Sequence, residues 1–258
     1  MQVTYYKHFS YALNRDMEFK VYGHSGKVLV IFPAQNGRFF DYENFGMVDS
    51  LSRYIESGQI QLFTVDSVDE ESWSLEGQDY DRRIRRQEAY YHYICDEFYP
   101  YMKKLHYELT GQDDEVFTSG CSMGATHALN FFLRRPDLFN GVIALSGVYH
   151  ASYFFPNYVH PIIYQNSITD YLPNMPKDHP YLDLYRRSKI VVCVGQGAWE
   201  DESIADTLIV QKAFNDLGVE AWCDFWGYDV NHDWPWWRTQ IAYFINFFLN
   251  CSFCFRII

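Results

Sequence analysis

Glu115-Val116-Phe117-Thr118-Ser119-Gly120-Cys121-Ser122-Met123-Gly124-Ala125-Thr126-His127-Ala128-Leu129-Asn130-Phe131-Phe132-Leu133 passes from a strand pattern into a helix pattern across five residues. Glu115–Ser119 has the β-branched and aromatic content of a strand, and Ala125–Leu133 reads as a helix. Between them lies the motif Gly-x-Ser-x-Gly, at Gly120, Ser122 and Gly124. A serine on so tight a strand-to-helix turn projects its hydroxyl above the sheet edge, and small flanking residues let neighbouring backbone approach. The helix N-terminus adds free N–H groups where negative charge can develop. Ser122 is therefore the candidate nucleophile; a merely structural turn serine is the competing reading.

Working outward, short apolar runs alternate with helical segments, the pattern of a mostly parallel sheet covered by helices, an α/β fold. Strands are expected at Glu18–Tyr22, Lys27–Phe32, Ile60–Asp66, Glu115–Ser119, Gly141–Ser146, Lys189–Val194 and Glu220–Phe225. Val28–Phe32 and Ile190–Val194 are continuously apolar, as strands buried on both faces should be. Helices are expected at Gly46–Glu56, Arg82–Glu108, Ser122–Arg134, Ile204–Leu217 and Trp236–Leu249. Pro136 ends the third and Gly218 caps the fourth. A first strand near Thr4–Leu13 should pair antiparallel with Glu18–Tyr22, since no helix separates them. From Gly147 to Ser188 the alternation lapses: five prolines and many aromatics give no clean period. That stretch (147–188) reads as an insertion or cap-like segment over the active site, within a single domain spanning 1–258.

An activated serine needs a base, and in this kind of fold the chain order is serine, acid, histidine. His232 follows the last strand and precedes the final helix, at the sheet edge that carries the serine turn. His150, His160 and His179 fall in the insertion, where solvated or ligand-contacting roles are the default. His127, on the helix after Ser122, reads as a packed or exposed side chain. The acid belongs after strand Lys189–Val194, in Gly195-Gln196-Gly197-Ala198-Trp199-Glu200-Asp201-Glu202. Glu200 is the first choice and Asp201 the second; surface carboxylates capping the next helix are the alternative. A lone Gly-Gln-Gly without a third glycine is weak evidence for a nucleotide loop. The oxyanion hole needs two N–H groups, expected from Met123 and from Gln35 or Asn36 in the loop Pro33–Gly37. An ordinary turn is the alternative for that loop.

Gly120–Gly124, the acid loop Gly195–Asp201 and His232-Asp233-Trp234-Pro235-Trp236-Trp237 together resemble the esterase family of α/β-hydrolases. That family includes esterase D (S-formylglutathione hydrolase), feruloyl and siderophore esterases, and the mycolyltransferases. Val65–Trp73 is similar to the family's loop beside the substrate. The resemblance spans most of the chain. It implies an α/β-hydrolase fold, a Ser–acid–His triad, no metal and no cofactor. Cys121 stands where the family often has histidine or leucine, and Gln35-Asn36 where small residues are usual. Both departures leave the triad intact and the substrate open.

The expected activity is cleavage of a small-molecule carboxylic ester through an acyl-enzyme on Ser122. Acyl transfer to another alcohol by the same triad, and a binding module without chemistry, are the rivals. With 22 Tyr, 21 Phe and 7 Trp, the chain has aromatic area for an aromatic acyl or sugar-ester cleft, though extra core packing is the plainer use. Trp73, Trp199 and Trp234 are the candidate substrate-binding residues. A net charge of −12 argues against nucleic acid. The basic run Arg82, Arg83, Arg85, Arg86 sits among Asp79, Asp81 and Glu88 and reads as a solvated helix face. No apolar stretch resembles a secretory signal or a membrane span, and Cys193 and Cys223 lie in strand-like runs as buried thiols would. A cytoplasmic protein is the expectation. Cys251 and Cys254 form a CxxC without a second pair at zinc spacing, so no metal site is expected there. Nothing in the sequence specifies an oligomeric state.

Overall fold

The computed structural model describes residues 1–77 and 79–249; Cys251 and Cys254 lie outside the described residues. Eight strands form one sheet in the order β1-β2-β4-β3-β5-β6-β7-β8. They are β1 (Val3–Ser10), β2 (Arg15–Tyr22), β3 (Lys27–Phe32), β4 (Ile60–Val65), β5 (Val116–Cys121), β6 (Gly141–Leu145), β7 (Lys189–Val194) and β8 (Trp222–Phe225). β1 and β2 form an antiparallel hairpin, with Val3 opposite Tyr22, and β2 runs antiparallel to β4. From β4 through β8 every pairing is parallel, so the C-terminal ends of those strands share one edge.

Side-chain alternation divides the core between the two faces of the sheet. Along β3, Val28, Val30 and Phe32 enter one buried cluster, while Leu29 and Ile31 enter the other. The first cluster is covered by α1 (Tyr80–His92), α2 (Tyr99–Thr110), α3 (Met123–Arg134) and α4 (Asp201–Asp216). The second is covered by the segment around Tyr42–Ile55 and by α5 (Trp234–Leu249). Part of the aromatic content is core: Tyr22, Tyr90, Tyr93, Tyr149 and Tyr185 are fully buried.

Two expected helices differ in detail. The helix expected at Gly46–Glu56 is broken into Met47–Ser50 and Ser52–Glu56, because Leu51 leaves helical geometry, with φ −106° and ψ 1°. The helix expected at Arg82–Glu108 begins at Tyr80 and reaches Thr110, but Tyr93–Phe98 is a π-helical stretch between α1 and α2. It absorbs the phase change that brings Tyr93, Ile94 and Phe98 onto the core. Within 147–188 the chain forms short helical turns at Ala151–Tyr153, Pro161–Gln165, Ile168–Tyr171 and Tyr181–Tyr185. Among the described residues no helix is long and apolar enough to cross a membrane.

Candidate active site

Ser122 links β5 to α3 with φ 56° and ψ −125°, outside the comfortable regions for a residue with a Cβ. Such strain persists only when the surroundings impose it, and here the flanking glycines make the imposing contacts. A Cβ on Gly120 would stand 2.4 Å from the carbonyl group of Gly124, and one on Gly124 would stand 2.4 Å from the Phe32 oxygen. β5, the start of α3 and the end of β3 therefore meet backbone to backbone. The turn is locked by the Ser122 N–H donating to the Leu145 oxygen at 2.9 Å.

The part-exposed Ser122 hydroxyl lies 2.9 Å from Nε2 of His232. The other ring nitrogen, Nδ1, lies 3.1 Å from Oε2 of Glu200, whose side chain is fully buried. A carboxylate can only accept at that contact, so Nδ1 carries the proton and Nε2 is left with its lone pair toward the serine. Asp201, the second candidate acid, is exposed in the first turn of α4.

The other carboxylate oxygen is held as well. Glu200 Oε1 accepts from the Ser146 hydroxyl at 2.7 Å and from the Gly195 N–H at 3.3 Å. Ser146 Oγ in turn accepts from the Trp237 indole N–H at 3.1 Å. The same indole packs edge-on against the His232 ring, with centroids 4.9 Å apart. Sequence reasoning missed Ser146. Its signal is its place at the C-terminal end of β6, beside the strand that leads to the acid loop.

The Gly-Gln-Gly of that loop has a packing reason. Cβ atoms on Gly195 and Gly197 would meet the Val230 oxygen at 2.2 Å and the Asn231 side-chain oxygen at 2.3 Å. The acid loop thus lies directly on the base loop, which returns a bond from the His232 N–H to the Ala198 oxygen at 3.0 Å. Glu200 and His232 are carried by two loops that brace each other.

Met123 is the first residue of α3, so its N–H has no acceptor within the helix. Gln35 and Asn36 are the central residues of a turn closed by the Gly37 N–H on the Ala34 oxygen at 2.8 Å, and Asn36 has φ 58°. The loop that carries them follows Pro33, whose backbone abuts Gly124. The Gln35 side chain donates to Ser74 Oγ at 2.8 Å, which ties this loop to the one after β4.

The three tryptophans are placed differently from one another. Trp73 is buried in a cluster with Ile84, Met123, Ala151, Phe155 and Ile163. Trp199 is 86% exposed with φ 69°, directly before Glu200. Trp234 stacks on Phe45 at 4.3 Å. Trp73 comes from the loop after β4, whereas Trp199 and Trp234 follow β7 and β8, on the far side of β5.

The other histidines weighed as candidates take structural partners. His127 is buried and bonds to Asp69 Oδ1 at 2.8 Å, His150 reaches Asp206, and His160 and His179 accept from nearby backbone N–H groups. Burial pushes the Cys121 thiol well above its usual range, which rules it out as a competing nucleophile next to Ser122. The expectation of a solvated basic face holds for Arg82 and Arg85, which are exposed, Arg85 pairing with Asp81; Arg86 is part-buried and pairs with Glu71 outside the helix. It fails for Arg83, which is 5% exposed and turned into the protein.

A family model described as “Putative esterase” matches residues 10–246. Among solved structures, the chain is similar to a ferulic acid esterase at 20% identity and TM-score 0.72, covering 95% of this chain and 96% of that one. It is similar to the S-formylglutathione hydrolase of Staphylococcus aureus at 16% identity and TM-score 0.69, covering 96% and 97%. Mycobacterium tuberculosis MPT51 follows at 13% identity and TM-score 0.68, covering 96% and 98%. No match was found among curated protein sequences.

Proposed function

Because the chain belongs to the “Putative esterase” family and is thus a carboxylic ester hydrolase, we propose that it works through Ser122, His232 and Glu200 as nucleophile, base and acid. The observation that carries this reading is the unbroken relay from Ser122 Oγ to His232 at 2.9 Å and from His232 to the buried Glu200 at 3.1 Å.

His232 Nε2 takes the hydroxyl proton as Ser122 Oγ attacks the ester carbonyl carbon. Glu200 holds the ring in the Nδ1–H tautomer and stabilises the imidazolium that forms. The carbonyl oxygen gains negative charge and is met by the Met123 N–H, with Gln35 or Asn36 supplying the second donor. As the C–O bond breaks, the proton on Nε2 passes to the departing alcohol. A water molecule then gives a proton to Nε2 as its oxygen attacks the acyl carbon; the bond from that carbon to Ser122 Oγ breaks, Oγ takes the proton back from Nε2, and the carboxylic acid leaves. Ser122 is part exposed, so water can reach the acyl-enzyme and complete hydrolysis; an alcohol reaching it by the same route would give acyl transfer instead. The substrate is a small-molecule ester, and the similarity to a ferulic acid esterase together with the exposed Trp199 beside Glu200 supports an aromatic acyl or sugar ester. One domain spanning 1–258 supplies all of these groups, with 147–188 as the cap-like part.

The test is a fluorophosphonate probe on the folded protein, with ester hydrolysis measured in parallel. The expected result is one adduct, on Ser122, and loss of hydrolysis by about 10⁴-fold or more in Ser122→Ala. A Ser122→Ala protein with undiminished ester hydrolysis would refute the assignment.

A further inference from the structure

Arg83 is a buried cation for which no described carboxylate forms an ion pair. Its guanidinium instead donates to four backbone oxygens. Nε reaches Ser72 at 2.9 Å, Nη2 reaches Trp73 at 2.7 Å and Phe154 at 3.0 Å, and Nη1 reaches Gly77 at 3.2 Å. Its flat faces lie against rings, with Cζ 4.6 Å from the centroid of Phe155 and 5.2 Å from that of Tyr80. Burying a charge is costly unless every donor is satisfied. A planar fork with five N–H donors can satisfy itself on carbonyls in several directions at once, which an ammonium cannot.

The oxygens it gathers come from two segments distant in sequence: the loop after β4, and the part of 147–188 that includes Phe154. Those segments carry Trp73 and Phe155, whose rings meet at 5.4 Å and share a buried cluster with Met123, the residue after Ser122. Trp73 also meets the His127 ring edge-on at 6.3 Å. The loop after β4 and the loops that carry Glu200 and His232 lie on opposite sides of β5 in the sheet. His232 must hand its proton to the leaving alcohol, so the alcohol leaves on the His232 side. Trp73 comes from the opposite side, so the wall it forms with Phe155, buried behind Met123, is assigned to the acyl side.

We propose that Arg83 is a positioning residue for acyl selectivity: by clamping four carbonyls it holds the Trp73–Phe155 wall against Met123 and sets the size of acyl group accepted at Ser122. The proposal rests on the serine-hydrolase reading above. Loss of the clamp frees the wall and leaves the Ser122–His232–Glu200 relay in place. Acyl groups that must press on the wall are affected, whereas an acetyl group is too short to depend on it.

The experiment compares Arg83→Lys and Arg83→Gln with the unaltered protein, counting competent sites with a fluorophosphonate and measuring kcat/KM per site for p-nitrophenyl acetate, butyrate and benzoate. The expected result is a fall of at most about threefold on acetate and about tenfold or more on benzoate, with Lys milder than Gln. A clamp serving stability alone would lower the number of titratable sites and leave the acetate-to-benzoate ratio unchanged; an unchanged ratio overturns the proposal. If neither variant folds, Phe155→Leu with Arg83 intact must shift the same ratio, and a constant ratio there also overturns it. Unaltered protein that takes no probe on Ser122 refutes the hydrolase reading and this proposal together, whereas labelled protein with a constant ratio refutes the role of Arg83 alone.

Discussion

Glu200 and Asp201 are neighbours in sequence, yet the Glu200 carboxylate lies 3.1 Å from His232 Nδ1 while Asp201 faces solvent in the first turn of α4. The two differ by one step into the helix, and that step decides which side chain meets the imidazole. Glu200→Gln removes the charge but keeps the shape, and an amide that turns its NH2 toward Nδ1 selects the wrong tautomer. The expected loss in kcat is on the order of 10³–10⁴. Asp201→Asn should stay within about threefold of the unaltered protein, since an exposed first-turn carboxylate contributes only to helix stability. Steady-state hydrolysis by the two variants checks this directly; a larger loss at Asp201 than at Glu200 would invert the assignment.

Ser146 deserves the same measurement. Its hydroxyl donates to Glu200 Oε1 and accepts from the Trp237 indole, so Ser146→Ala leaves two buried polar groups short of a partner. A hydrogen bond to a charged group contributes about 1.5–3 kcal/mol, and a loss of about tenfold or more in kcat is expected as Glu200 loosens. Acetate and benzoate esters should suffer equally, which separates this residue from one acting on the acyl pocket.

Gly124→Ala tests the packing of the serine turn. The new methyl would meet the Phe32 and Pro33 oxygens at 2.4 and 2.7 Å, and both are backbone atoms that cannot swing aside. Overpacking of this kind costs about 1–3 kcal/mol. The variant should lose both thermal stability and fluorophosphonate labelling, because Met123 must move with the helix start. Full labelling at unchanged melting temperature would mean the contact yields easily.

What could be read from sequence follows the physical reach of each signal. The β5–Ser122–α3 turn was legible because local strand and helix patterns bracket the motif. His232 followed from chain order and its place at the sheet edge. The acid could be narrowed to Glu200 first and Asp201 second and no further, because helix starts shift by a residue or two and each shift turns a side chain by about 100°. Ser146 was not legible, since its role depends on two neighbours from other strands and a helix. Arg83 was misread as solvated because four arginines in five positions look like one charged face. The helical period separates them: Arg83, Gln87 and Tyr90 share a buried stripe, while Arg82 and Arg85 point outward. The π-helical stretch at Tyr93–Phe98 left no compositional mark at all.

His150 attaches 147–188 to α4 through Asp206, and that contact carries a prediction about stability against pH. Its Nδ1 lies 2.8 Å from the buried Asp206, while Nε2 lies 3.8 Å from Glu202. The hydrogen bond to Asp206, followed by the charges of Asp206, Glu202 and Asp170, raises the His150 pKa above its ordinary value, against the opposing effect of burial. A group raised on folding stabilises the fold fully below its unfolded pKa, about 6.5 for histidine, and that contribution fades as pH rises through the elevated folded value. The difference in melting temperature between the unaltered protein and His150→Asn should therefore be largest in mild acid and shrink toward alkaline pH. A melting difference that grows with pH would mean the imidazole is held neutral by the fold and that the carboxylates around it do not govern its charge.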